Sequence, residues 1–281
     1  MRKIRNCNAS ALNTGISKCP IDFSRIKGAI IVPEGTKLPA DLTGDKLEEL
    51  AHEDQGARAY GTPVFVEFAK NGGEAQTGST GYGGVQVTGY SDRTDTFTLD
   101  AFYPEVMSGF VKNCNRKYGA YFYDDNNVIY GVNDGTEVLA PYAMNSIYAD
   151  ATPYRTSGAA ATMNLCFAYS DAKEAFANFD YVQLDFNPRK YVLGLTAVEL
   201  AKVGDGNKYK IVEKIGGYDL TALYGEAIAS AASVISGATT TAITYSADDE
   251  TLTIAASDGA VPKLKSPKVL YAAGIKGIEQ A

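Results

Sequence analysis

Apolar and polar residues alternate most regularly between positions 84 and 135. Gly84–Tyr90 reads as a strand, and Thr96–Phe102 as a second one with Phe97, Leu99 and Ala101 on one face. Pro104 opens a helical run in which Val106, Met107, Phe110, Val111 and Cys114 recur at helical spacing, so a core helix over 104–116 is expected. Tyr118–Asp124 returns to strand composition, Asp125–Asn127 turns the chain, and Val128–Val132 runs back.

Upstream, Ile26–Val32 and Thr62–Ala69 read as strands. Asp41–His52 reads as an amphipathic helix, with Leu42, Leu47, Leu50 and Ala51 on its apolar side and Asp41 or Thr43 as N-cap. Lys70–Gly83 is rich in Gly and Thr and has the composition of a long loop, which would make Thr62–Ala69 and Gly84–Tyr90 the two strands of an extended hairpin. Downstream, Leu139–Thr156 is Tyr- and Pro-rich. Ala161–Tyr169 is a strand, and Ser170–Phe179 a short helix with Ser170 as cap and Phe176 and Phe179 turned inward. Tyr191–Ala197 and Tyr209–Ile215 read as strands.

Composition changes near Gly216 and Gly217. An Ala-rich helix over 219–235, a hairpin of Thr239–Tyr245 with Thr251–Ala256, and a last strand over Lys268–Ile278 follow. The expected fold is mainly β (α+β): a β-sandwich or barrel with one or two packing helices, a long hairpin arm and a small C-terminal appendage. The expected division is an N-terminal arm (1–24), a sandwich domain (25–217) and a helix-plus-hairpin extension (218–281).

A chain of 281 residues can bury a sizeable core, and 45% apolar with 21% charged content is ordinary for a globular protein. Nineteen Tyr and eleven Phe with no Trp favour β structure. The net charge of −7 argues against a general nucleic-acid coat, which needs a basic face to release counterions. The start of the chain has basic residues (Arg2, Lys3, Arg5) but no apolar segment behind them. No apolar run approaches the roughly 20 residues of a membrane helix. These features lead us to expect a protein kept in a cytoplasm until it is assembled. Cys7, Cys19, Cys114 and Cys166 form no Cys-x-x-Cys, and free thiols are expected in preference to a Cys7–Cys19 disulfide.

No constellation of residues supports catalysis. His52 is the only histidine, and Glu49 with His52 gives a single Glu-x-x-His where a di-iron site needs two such motifs and two further Glu, so an exposed charged helix face is expected there. Gly78–Gly84 lacks the following helix and the Lys-Ser/Thr pair of a phosphate loop. Asp124–Asn127 opens like a calcium loop, but Ile129 and Gly135 stand where Gly and Glu are required. Asp248–Glu250 reads as a solvated turn, and no serine sits in Gly-x-Ser-x-Gly. No catalytic, metal or cofactor-binding residue is expected.

The order of elements in 84–135 resembles that of bacteriophage tail tube proteins. The corresponding pieces are Gly89-Tyr90-Ser91-Asp92, the strand Thr96–Phe102, the helix Pro104–Lys117, and Tyr121–Asp124 through Gly131. The resemblance implies a β-sandwich or barrel protomer without cofactor or membrane contact. Its protomers would form homo-oligomeric rings, six to a ring, stacked into a tube. The partners would be further copies, other virion proteins, and DNA that passes without specific binding; the location would be the virion, assembled in the host cytoplasm. An assembly arm is expected at Asn71, Gly72, Gly73, Thr77, Gly78 and Thr80. Acidic residues facing the lumen are expected at Glu67, Asp92, Asp95 and Asp100, since a conduit should repel DNA. Alternatives are another phage structural role (capsid decoration, connector or ring protein) and a non-catalytic bacterial binding or adhesion module.

Overall fold

The computed structural model describes residues 24–281 apart from 80, 137, 153, 156, 159, 205, 238, 239 and 257–259. The expected N-terminal arm therefore lies almost entirely outside the described residues. The fold is mainly β with accessory helices. It divides into two compact units, one formed by Tyr60–Val192 with the residues up to Leu47, the other by Glu48–Ala59 with Leu193–Ala281.

The first unit runs β1 (Ile26–Pro33), the start of α1 (Gly44–Ala51), β2 (Tyr60–Gly61), β3 (Phe65–Gly72), β4 (Ala75–Ser79), β5 (Val85–Tyr90), β6 (Arg93–Leu99) and α2 (Pro104–Asn113). It continues through β7 (Tyr118–Asp124), β8 (Val128–Val132), β9 (Tyr142–Thr152), β10 (Thr162–Tyr169), α3 (Ala172–Ala177) and β11 (Phe179–Gln183). A nine-stranded sheet has the order β11-β8-β7-β9-β10-β6-β3, with β1 also on β7 and β2 on β1. Its ends approach each other, because Arg25, just before β1, donates to the Val66 carbonyl on β3 (3.1 Å). The sheet thus wraps around an aromatic core in which Phe97 lies 4.4 Å from Phe65, 5.2 Å from Phe122 and 5.7 Å from Phe167.

Strand β7 is buried along both faces, which explains its almost unbroken apolar sequence. Ala120 and Phe122 enter the aromatic core. Tyr121 points the other way, where its hydroxyl accepts from the Leu38 N–H (3.2 Å) and donates to the Leu139 carbonyl (3.0 Å). At the end of β7 the Asp124 carboxylate accepts from the N–H groups of Asn126 (2.8 Å) and Val128 (2.9 Å) and from the Tyr130 hydroxyl (2.6 Å). Asn127 takes φ +60°, so the acidic run is a tight hairpin turn.

Several expected elements differ. Helix α2 has no fully buried residue; Val106, Met107 and Phe110 are half-buried against the core, while Val111 is 54% exposed. It covers the core rather than entering it. The cap of α3 is Asp171, whose carboxylate accepts from Glu174 N–H (3.0 Å), not Ser170. The irregular stretch around 139–156 holds the long strand β9, and 191–195 is not strand.

The second unit holds the last turn of α1, then β12 (Thr196–Val203), β13 (Lys208–Glu213), α4 (Thr221–Ser230), β14 (Ile235–Ser236), β15 (Thr240–Ser246), β16 (Thr251–Ala256), β17 (Lys263–Leu264), α5 (Pro267–Ala272) and β18 (Ile278–Gln280). A five-stranded sheet has the order β15-β16-β13-β12-β18, with β18 parallel to β12. The division expected at 217 thus moves to Val192, because β12 and β13 pair with strands that follow Gly217. The last strand expected over 268–278 is instead helix through Ala272, with Pro267 in its first turn and Gly274 at φ +82° beyond its end, and strand resumes only at Ile278.

His52 is 4% exposed, against the expectation of an open charged face. Its ring stacks on Tyr271 (4.6 Å between centroids), Nδ1 meets the Glu48 carbonyl (2.8 Å), and Nε2 accepts from Gly277 N–H (3.1 Å). Those partners require the neutral ring with its proton on Nδ1. The histidine is a packing and hydrogen-bonding residue of the second unit.

Candidate assembly surface

Strand β3 pairs antiparallel with β6, and β4 pairs with β5 in a separate two-stranded ribbon. Thr62–Ala69 and Gly84–Tyr90 are therefore not hairpin partners, and most of the expected loop Lys70–Gly83 is strand. Chain order makes the ribbon a continuation of β3 and β6, interrupted at Gly73–Glu74 on one strand and at Ser91–Asp92 on the other.

The interruption is specific. Gly72 and Gly73 both have φ +76°, a backbone conformation that L side chains rarely adopt. A Cβ on Gly72 would lie 1.8 Å from the Asp92 carbonyl oxygen, and that oxygen accepts from Gly73 N–H (3.1 Å). One residue on, Glu74 and Ser91 clamp the strands. The Ser91 hydroxyl donates to the Glu74 carboxylate (3.0 Å) and accepts from Glu74 N–H (3.0 Å), while Ser91 N–H donates to the Glu74 carbonyl (3.0 Å). Hydrogen bonds from its own backbone N–H and from the Ser91 hydroxyl hold the Glu74 carboxyl below its usual range.

Beyond this clamp no described residue packs beneath the arm. No described residue from Val66 to Tyr90 is buried. The register puts Val85 and Val87 with Ser79 and Thr77 on one face, and Gln86 with Gly78 on the other. Val85 is 75% exposed, Val87 57%, and Tyr82, at the Gly81–Gly83 tip, is fully exposed. From Ala75 to Ser91 there is no charged side chain. Exposed edges are ordinarily blunted with charge, and a two-stranded ribbon is at best marginal by itself. An amphipathic, uncharged ribbon whose edges pair with no other described strand has the features of a strand-pairing partner.

Of the arm residues expected from sequence, Asn71 and Gly72 close β3 opposite Thr94 and Arg93, Gly73 lies between β3 and β4 at φ +76°, and Thr77 and Gly78 lie in β4. Thr80 lies outside the described residues. The acidic set does not form one face. Asp92 is exposed at the base of the arm, Glu67 is exposed toward the other end of β3 opposite Thr98, and Asp100 is exposed and accepts from the Tyr103 hydroxyl (2.8 Å). Asp95 is 4% exposed and cannot face a lumen. It shares the inward parity of Phe97 and Leu99 on β6, and its carboxylate accepts from Arg93 Nε (2.8 Å), Arg93 Nη2 (3.0 Å) and the Tyr169 hydroxyl (2.9 Å). Sequence reading missed Val85, Val87 and Tyr82, although the missing charge across the arm was visible. No protein-family model matches this chain, and no curated protein sequence matches it significantly.

Proposed function

We propose that this chain is a structural protein that assembles with copies of itself through the β4–β5 arm, in the manner of a bacteriophage tail tube protein whose rings stack into a DNA conduit. The observation that carries the reading is the arm: an amphipathic ribbon exposed on both faces, uncharged from Ala75 to Ser91, and set off from the main sheet by the positive-φ residues Gly72 and Gly73 and the Glu74–Ser91 clamp. A neighbouring sheet edge would satisfy its free backbone groups and cover Val85 and Val87. The wrapped β unit with a covering helix agrees with the tube-protein resemblance. The net charge of −7 suits a wall past which DNA moves without adhering.

The test is removal of the arm at its clamp. Deleting Ala75–Tyr90 joins Glu74 to Ser91, whose backbones already bond. The deletion should leave a folded monomer by circular dichroism and sedimentation, while the intact chain forms larger species. Neither form should bind duplex DNA at physiological salt. Equal assembly with and without the arm would remove it from the mechanism, and salt-sensitive DNA binding would reject the conduit.

A further inference from the structure

At the base of the arm, the first unit opens into a cavity of about 230 Å³ walled by Phe68, Phe97, Phe122, Tyr142, Tyr169 and Phe176. Phe68 and Phe176 are 55% and 43% exposed, so the mouth is open to solvent. The Arg93–Asp95 pair also lines it, and the Arg93 guanidinium lies 4.0 Å from the Phe176 ring centroid. Its lining charges thus neutralise each other, and a neutral aromatic group can enter without stripping a counter-ion. We propose that the cavity receives Tyr82 from the arm tip of a second copy. This inference rests on the self-assembly reading above and names its contact.

Three observations select that occupant. Tyr82 is the one bulky side chain of the tip, fully exposed and flanked by Gly81, Gly83 and Gly84, so its ring can enter a recess with no neighbour following. The arm from Ala75 to Ser91 is uncharged, matching the internally neutral pocket. The arm starts at the pocket and leads away from it: β5 alone has 6 residues, which at ~3.3 Å each sets the tip roughly 20 Å off, so the same chain's Tyr82 does not reach its own pocket. Unless two copies exchange arms reciprocally in a two-fold dimer, knob and socket on separate places of one chain make a heterologous contact, which propagates into a closed ring or a filament. Inside, the phenol ring would meet aromatic edges and faces, and its hydroxyl would meet Asp95, which uses three of its roughly four acceptor positions.

The experiment places p-benzoylphenylalanine at position 82 of the full chain, mixes light and 15N-labelled protein, illuminates, and maps crosslinks by mass spectrometry. Crosslinks between molecules to 93–97 or 169–179 are expected. In parallel, Tyr82→Ala should raise the concentration needed for assembly about 30-fold, as loss of a central aromatic anchor does, and Tyr82→Phe by far less. Particles that form with crosslinks confined to another surface, or within one chain, would overturn the docking and leave the assembly reading standing. Wild-type protein that forms no particles at any concentration would overturn both.

Discussion

Arg93 and Asp95, two positions apart on β6, form a bidentate ion pair (2.8 and 3.0 Å) on the inward face of the strand. The arm begins where this pair ends the core. Asp95→Ala leaves a mostly buried guanidinium without its carboxylate and should destabilise the protein by about 2–4 kcal/mol in urea unfolding. Joint replacement by Arg93→Met and Asp95→Leu should recover most of that loss. Equal destabilisation by the single and double variants would show that the pair's charge is not what matters.

Phe97 and Phe110 separate core from cover. Phe97 is 3% exposed and touches rings on β3, β7 and β10, so Phe97→Ala should cost about 3–5 kcal/mol. Phe110 is only half-buried on α2, and Phe110→Ala should cost roughly half as much. Chemical denaturation of both variants checks the order; the reverse order would contradict the placement of α2.

The buried tyrosines set an alkaline limit. Burial pushes the Tyr123 phenol up to about 12 and raises those of Tyr121, Tyr142 and Tyr169 as well. A folded-state value above the unfolded one, about 10, means stability is complete below pH 10 and is lost as pH rises through about 12. On the acid side the sign reverses. Hydrogen bonds from Lys37 and Thr136 hold the Asp134 carboxyl down at about 2, so its contribution is present above about pH 4 and lost as pH falls through 2. Tyrosinate absorbance against pH should show a group of phenols ionising late and together with unfolding. Free ionisation of every tyrosine near pH 10 would contradict the burial.

The strands legible in the sequence are those whose burial wrote the pattern. Tyr118–Asp124 and Val128–Val132 were readable because apolar residues fill them. β9 was not, since the register shift opposite Ala168 and Tyr169 leaves Asn145 as an extra residue and breaks the alternation between Met144 and Ile147. β4 carries no burial signal because no described residue packs beneath it; its strand state comes from pairing with β5. The parity of Asp95 with Phe97 was visible and should have placed it inside. The meeting of Arg93 with Phe176 joins β6 to a helix far along the chain, and local pattern holds no record of it.

The central claim is self-assembly through the arm, and negative-stain electron microscopy of the purified full-length chain, beside a Val85→Lys, Val87→Lys variant, tests it most directly. The lysines leave the aromatic core untouched and put charge on the exposed apolar face of the ribbon. The account predicts rings or tubes for the wild type and dispersed, folded single particles for the variant. Wild-type protein that stays monomeric under concentrated conditions, or a variant that assembles as well as the wild type, would contradict it.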